Sequence, residues 1–237
     1  MTDAIDRGAW LRRLRRQNAA QEDALSAVYD ERWGEIEKTH RDFVERFLAS
    51  LPADGRVLDA ACGTGKYFGM VLDSGRSVLG VDHSPGHLAR AREKLPEVPT
   101  ENRELQDLAF QEEFDGVMCV DALEVIPPED WPVVLAAFGR ALRPRGRLYA
   151  TIERVPEDQV RRGTEGGRAA GFPLVEGEVI WEDDLYHYYP PMGRVRVWLA
   201  EAGFAVDEDL EGPSDPIDDF AYHHVLATFV KEVEGAS

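Results

Sequence analysis

VLDAACGTGKYFG, residues 57–69, passes from an apolar run into a glycine-rich turn and then into a helix. Gly63 and Gly65 let the backbone come close to a ligand lying at the end of a strand. Two cofactor classes use such a turn. A dinucleotide needs GxGxxG, whose last glycine allows close helix packing while the helix N-terminus receives the pyrophosphate. Counted from Gly63, that last position is Phe68; a wider spacing that ends at Gly69 stays open.

On either side of the turn, short apolar runs alternate with amphipathic helices. The runs are RVLDAA (56–61), SVLGVD (77–82), the weaker ENRELQ (101–106), FDGVMCV (114–120) and GRLYATIE (146–153). Continuous apolar strands separated by helices imply a parallel sheet covered on both faces. FAVDEDL (204–210) and YHHVLATFV (222–230) have no helix between them and should pair antiparallel. The expected fold class is α/β: a Rossmann-like seven-stranded, mostly parallel sheet with one antiparallel strand and helices on both faces. Ser84 and Pro85 read as the start of one helix, and Pro144 with Gly146 as the stop of another that carries Trp131, Val134, Leu135, Phe138 and Leu142.

Residues 1–50 read as a helical cover, with Ile36, Phe43, Val44, Phe47, Leu48 and Leu51 at three-to-four spacing. The main domain spans 51–237. Within it, 154–190 interrupts the alternation, and its RRGTEGGRAAG stretch (161–171) reads as a lid, binding loop or mobile segment on the substrate side. Arg12, Arg13, Arg15 and Arg16 form a local basic cluster whose plain reading is a solvated helix face.

Composition narrows the partners. The chain has 237 residues, 43% of them hydrophobic, which fits one large or two small globular domains. With 27 Lys and Arg against 45 Asp and Glu, the formal charge is -18, which opposes binding to nucleic acid or anionic lipid. Cys62 and Cys119 make no disulfide framework, and no CxxC or Cys/His spacing suggests a metal, so a reduced, cytoplasmic setting is expected. No apolar stretch approaches the roughly 20 residues of a membrane helix, and the first residues lack an apolar signal core. The expected partner is a small molecule; the oligomeric state is open.

Acidic residues gather where the parallel strands should end: Asp59, Asp82, Asp107, Asp121 and Glu124. Like charges about 4 Å apart at an effective dielectric near 20 repel by about 4 kcal/mol, so carboxylates would reject a pyrophosphate. A phosphate-free cation suits them better. S-adenosylmethionine is one, with its sulfonium, ammonium, ribose diol and adenine amino group.

Taken in order, VLDAACGTGKYFG, VLGVDHSPGHLARAREK, LQDLAF, FDGVMCVDALEVI and RPRGRLYATIE resemble the class I S-adenosylmethionine-dependent methyltransferases, in particular the bacterial enzymes of small molecules. The resemblance covers roughly residues 25 to 231. It implies that Asp59 helps hold the methionine ammonium, and that Ala61, Gly63 and Gly65 form the turn beneath methionine and ribose. Asp82 would accept the ribose hydroxyls, His83 would flank the adenine, and Asp107 beside Leu108 would bind its amino group. Cys119 and Val120 would lie under the cofactor, and Tyr29 would close over its methionine end. Three positions depart from the pattern. Ala61 stands where a glycine is common, Val125 where many relatives carry histidine, and His87 where many carry methionine. No Asn-Pro-Pro-Tyr motif follows the fourth strand, which argues against an amino methyltransferase of DNA bases.

On the substrate side, His187 is the candidate base, with Tyr186, Tyr188 and Glu124 as candidate substrate contacts. Their plain readings are covering aromatics with satisfied hydroxyls and, for Glu124 and Asp121, hydrogen bonding at a turn. His223 and His224 point to opposite faces of a strand, so at most one can look into a given cleft. Trp33, Phe172 and Trp181 are unranked candidates for an apolar pocket. Two rival functions remain: a nicotinamide-dependent oxidoreductase that uses the same turn, and a module that binds the cofactor without transferring anything.

Overall fold

The computed structural model describes residues 6–181, 185–213 and 220–230. Among these, the strands in chain order are β1 (Arg56–Ala60), β2 (Ser77–Asp82), β3 (Thr100–Asn102), β4 (Phe114–Cys119), β5 (Leu142–Arg154), β6 (Glu178–Ile180), β7 (Tyr186–Tyr188), β8 (Phe204–Glu211) and β9 (Ala221–Phe229). The helices are α1 (Arg7–Leu25), α2 (Tyr29–Trp33), α3 (Lys38–Ala49), α4 (Phe68–Asp73), α5 (Pro85–Lys94), α6 (Trp131–Ala141), α7 (Glu157–Ala169) and α8 (Met192–Glu201).

One seven-stranded sheet runs β3-β2-β1-β4-β5-β9-β8. The strands from β3 to β5 are parallel, and β9 is antiparallel to both β5 and β8. The chain starts at β1, moves outward to β3 and returns to β4 on the other side, so strand order reverses between β1 and β4. That reversal opens a crevice at the carboxyl ends of β1 and β4, where ligands of such sheets lie. Neighbouring residues of each strand feed opposite layers. Leu58, Val117 and Leu148 join Trp131, Phe138 and Trp198 on one face, while Val57, Met118 and Tyr149 join Phe43, Phe47 and Phe68 on the other. No helix among the described residues is long and apolar enough to cross a membrane.

Three local expectations differ from what is observed. The run ENRELQ (101–106) is mostly not strand: β3 covers Thr100–Asn102, and Leu105–Asp107 form a helical turn. The helix bearing Trp131 ends at Ala141, and Pro144 to Gly146 lie inside β5, where Arg145 has φ +64° and the register to β4 shifts. Residues 161–171 are largely helical rather than a loop. The glycines of α7 serve packing, because a Cβ on Gly163 would stand 2.5 Å from Val179 and one on Gly167 2.4 Å from Leu174. Contact with the β6–β7 hairpin region thus overrides the low helix propensity of glycine.

α1 lies as a strap across the top of the sheet, tied at three places. Arg7 reaches Glu178 of β6 through two hydrogen bonds of 2.9 and 2.7 Å, and also Glu129. Arg15 pairs with Asp130 at 2.5 Å, so one member of the basic cluster is engaged rather than merely solvated. Asp23 accepts from the Gly86 N–H (2.6 Å) and the Ser84 hydroxyl (3.1 Å) at the start of α5.

Candidate functional site

β1 delivers Asp59 to the crevice with 1% of its surface exposed. Its Oδ2 is buried and accepts no hydrogen bond among the described residues. Burial, reinforced by the charge of Asp82, pushes its pKa up to about 8. The chain then turns through Ala61 (φ +68°), Gly63 (φ +52°) and Gly65 (φ +77°), all in the left-handed region. For an alanine this region costs roughly 1–2 kcal/mol, partly offset by the larger unfolded-state entropy of glycine. Ala61→Gly is therefore expected to raise stability by about 0.5–1 kcal/mol, read from the urea midpoint at constant slope.

At the end of β2, Asp82 knits two loops together. Its Oδ2 accepts from Gly63 N–H and its Oδ1 from Ser84 N–H, both at 2.8 Å. His87 Nδ1 lies 3.9 Å from Oδ1, and burial lowers the pKa of this imidazole. The Tyr29 ring packs edge-on to His87 with centroids 4.7 Å apart. Burial raises the Tyr29 pKa, helped by Asp121, Glu22, Glu124 and Asp82. Glu22, on α1, is also raised, first by burial.

A cleft of about 350 Å³ continues along the carboxyl side of β2 and β3, lined by His83, Asn102, Arg103, Glu104 and Asp107. The Asn102 amide donates to the carbonyls of Asp82 (2.9 Å) and His83 (2.8 Å), which fixes one wall. Leu108 is buried one residue after Asp107, and Cys119 and Val120 are buried at the end of β4.

The opposite end of the crevice lies beyond β4. Asp121 adopts φ +53° and its N–H donates to Thr151 Oγ1 at 2.9 Å. Its carboxylate stands 3.2 Å from His40 Nε2 and 3.9 Å from Lys66 Nζ. Burial opposes ionisation, yet His40 and Lys66 hold the pKa below the usual carboxylate range. Glu124 follows in the turn Leu123–Val125, 8% exposed, with Oε2 buried and unpartnered among the described residues. Burial raises its pKa well, with Glu153 and Asp121 adding repulsion. Glu153, at the end of β5, is pushed up to about 7, first by burial.

Above Glu153 sits an aromatic chain. Tyr189 donates to Glu153 Oε1 (3.3 Å), His187 Nδ1 lies 2.8 Å from the Tyr189 hydroxyl, and Trp181 Nε1 donates to that hydroxyl (3.1 Å). The alternation of β7 separates its residues. His187 faces the Glu153 side, whereas Tyr186 donates to Glu178 (2.6 Å) and Tyr188 packs on Trp131 and Trp198. Tyr186 and Tyr188 thus belong to the packed layer. His223 bonds Asp209 at 2.5 Å and His224 lies 3.0 Å from the Tyr149 hydroxyl, on opposite faces of β9. Trp33 is 45% exposed.

Five residues of this arrangement carry no sequence expectation: Glu22, His40, Lys66, Glu153 and Tyr222, which stands opposite Glu153 in the β5–β9 ladder. Glu153 had a signal, since it ends the fifth apolar run on the face of Tyr149 and Thr151. His40 had none, because it arrives from a helix distant in sequence.

A family model described as "Methyltransferase domain" matches residues 57–146. The ubiquinone biosynthesis O-methyltransferase of Xanthomonas axonopodis pv. citri is 32% identical over 173 residues, 68% of this chain and 66% of that protein. The chain spans about half to two thirds of the length of the curated relatives it matches. Among solved structures, an S-adenosylmethionine-dependent methyltransferase from Methanosarcina mazei superposes with TM-score 0.70 at 15% identity, covering 84% of this chain and all of that one. The 1,6-didemethyltoxoflavin-N1-methyltransferase of Burkholderia thailandensis, solved with S-adenosylhomocysteine, gives 0.66 at 20% identity, covering 92% of this chain and 90% of that one. The sheet order and the matched segment agree on one assignment: the chain belongs to the class I methyltransferase family, whose cofactor is S-adenosylmethionine.

Proposed function

We propose that this chain transfers the methyl group of S-adenosylmethionine to an oxygen or nitrogen atom of a small molecule by in-line displacement. One observation carries the reading. The crevice presents a buried carboxylate oxygen with no partner among the described residues, Asp59 Oδ2, close enough to Asp82 for their charges to interact, and this acceptor set suits an ammonium and a diol but repels a pyrophosphate.

On this reading Asp59 receives the methionine ammonium, and Ala61, Gly63 and Gly65 provide the turn beneath. A carboxylate has about four lone-pair sites, so Asp82 can hold its two backbone N–H groups and still accept ribose hydroxyls. His83 and Leu108 flank the adenine, Asp107 takes its amino group, Cys119 and Val120 form the floor, and Tyr29 covers the methionine end. The bound cofactor supplies an activated methyl carbon, so the hard chemistry is its own. The protein's part is alignment and exclusion of water. An oxygen acceptor would also need a base, and His187, Tyr189 and Glu153 form the available chain.

A small acceptor is supported by the relatives' names, which cite ubiquinone biosynthesis and a didemethyltoxoflavin, and by the formal charge of -18, which disfavours polyanions. Buried, free Cys62 and Cys119 suit a reduced cytoplasm. Residues 1–50 act as cover, 51–237 as the transferase domain and 154–190 as its substrate-side roof. Calorimetry with S-adenosylhomocysteine and with NADH tests the assignment: binding of the first alone supports it, and binding of the second alone moves the chain to the oxidoreductases. Release of S-adenosylhomocysteine with a metabolite extract as acceptor separates an enzyme from a silent binder.

Asp59 makes that binding pH-dependent. Its folded pKa of about 8 lies above the ordinary value of 3.8, so between these limits the empty protein keeps a proton that the unfolded chain has lost. Stability from this group is therefore full below the lower limit and declines as pH rises toward the upper one. An ammonium partner favours the carboxylate, so ligand binding should release a proton below about pH 8 and tighten as pH rises to that point. Titrations of S-adenosylhomocysteine at pH 7 in buffers of different ionisation enthalpy read the release directly. Identical heats in all buffers would remove Asp59 from the ammonium site.

A further inference from the structure

Beyond the cofactor crevice, β4 and β5 run parallel with Cys119 beside Ala150, so the turn carrying Glu124 and the end of β5 carrying Glu153 emerge on the same edge of the sheet. Both carboxyls are largely buried, at 8% exposure for Glu124 and 12% for the Glu153 side chain. Among the described residues neither pairs with a lysine or an arginine. Glu153 touches Tyr189, with His187 Nδ1 at 3.9 Å, and faces Tyr222 across the β5–β9 ladder. Asp121, by contrast, already has Lys66 and His40. Glu124 is the unsatisfied member, because its Oε2 is buried and meets no donor.

A buried carboxylate with no donor is costly unless it is protonated or met by a cation. Two such groups within electrostatic reach keep a proton between them only until something positive enters. The surrounding side chains, Tyr189, Trp181 and Tyr222, are aromatic and suit an ammonium through their faces as well as an apolar body.

We propose that Glu124 and Glu153 form the specificity subsite of this transferase and that it recognises a protonated amine of the acceptor, with Tyr189 and Trp181 packing against the adjoining apolar part. The inference rests on the methyltransferase reading and narrows the acceptor from any small molecule to an amine-bearing one. The amine is defined as the recognised group, whichever atom accepts the methyl.

The test uses the full chain saturated with S-adenosylhomocysteine and three probes that share a ring and differ at the end: 2-phenylethylamine, 2-phenylethanol and phenylacetate. Ligand-observed NMR titration should give an amine affinity roughly tenfold above that of the alcohol, the scale of one charge-assisted hydrogen bond, with phenylacetate weakest. Glu124→Gln and Glu153→Gln should each remove about that tenfold preference while the S-adenosylhomocysteine dissociation constant stays within about twofold. Equal affinity for amine and alcohol in the unmodified chain overturns the subsite whether or not either variant folds. A preference that survives both substitutions overturns it as well. Failure of S-adenosylhomocysteine to bind would remove the transferase reading and this one together, whereas its binding without amine preference removes only this one.

Discussion

Asp82→Ala weakens S-adenosylhomocysteine binding by about 1.5–3 kcal/mol, on the order of a 10- to 150-fold rise in the dissociation constant. The expectation has two parts. On the proposed assignment the ribose loses its charged acceptor, and the Gly63 and Ser84 N–H groups lose theirs at the same moment, so the turn after β1 is no longer tied to the loop after β2. Asp82→Asn separates the two parts poorly and for an instructive reason. An amide NH₂ must then face one of the two backbone N–H donors, so asparagine should lose nearly as much as alanine. Calorimetry reads both, and a constant unchanged in Asp82→Ala would take the ribose role away from this residue.

Arg7→Ala is the second large effect, and it falls on stability. The Glu178 side chain is fully buried and takes two hydrogen bonds from Arg7, one from Tyr186 and one from Val175 N–H. Removing the guanidinium leaves that carboxylate without its cation. Breaking one side of a buried pair costs about 3 kcal/mol or more. Urea unfolding at unchanged slope measures it, and a loss under about 0.5 kcal/mol, the scale of an ordinary surface change, would contradict the argument. Adding Glu178→Gln to Arg7→Ala should recover part of the loss, because the uncompensated charge is gone.

The strands that begin with a short apolar run were legible, and SVLGVD at 77–82 coincides with β2 residue for residue, whereas the polar ENRELQ run misled: β3 is Thr100–Asn102 and Leu105–Asp107 form a helical turn. The acidic edge was legible for a related reason: Asp59 and Asp82 lie in the last residues of parallel strands and Asp107 in the turn after the next one, so chain order alone brings them toward one edge. What escaped is what depends on distance in sequence. Lys66 and His40 meet at Asp121 from separate elements, and no local pattern announces that meeting. The glycines of α7 misled because a helix rich in glycine looks like a loop until Val179 and Leu174 are seen filling the space where side chains would be. The end of α6 was placed late because Pro144 and Gly146 are equally at home in a strand irregularity.

The three ties of α1 have a kinetic corollary. Arg7, Arg15 and Asp23 join the helix to the β6 hairpin, to the start of α6 and to the start of α5; Arg7–Glu178 is buried at its carboxylate, while Arg7–Glu129 and Arg15–Asp130 are ionic and partly exposed to solvent. Counter-ions weaken attractions of that kind while leaving buried ones nearly intact. If the helix must lift for exchange of spent cofactor, added salt would act as a release agent, speeding dissociation without loosening the sheet underneath.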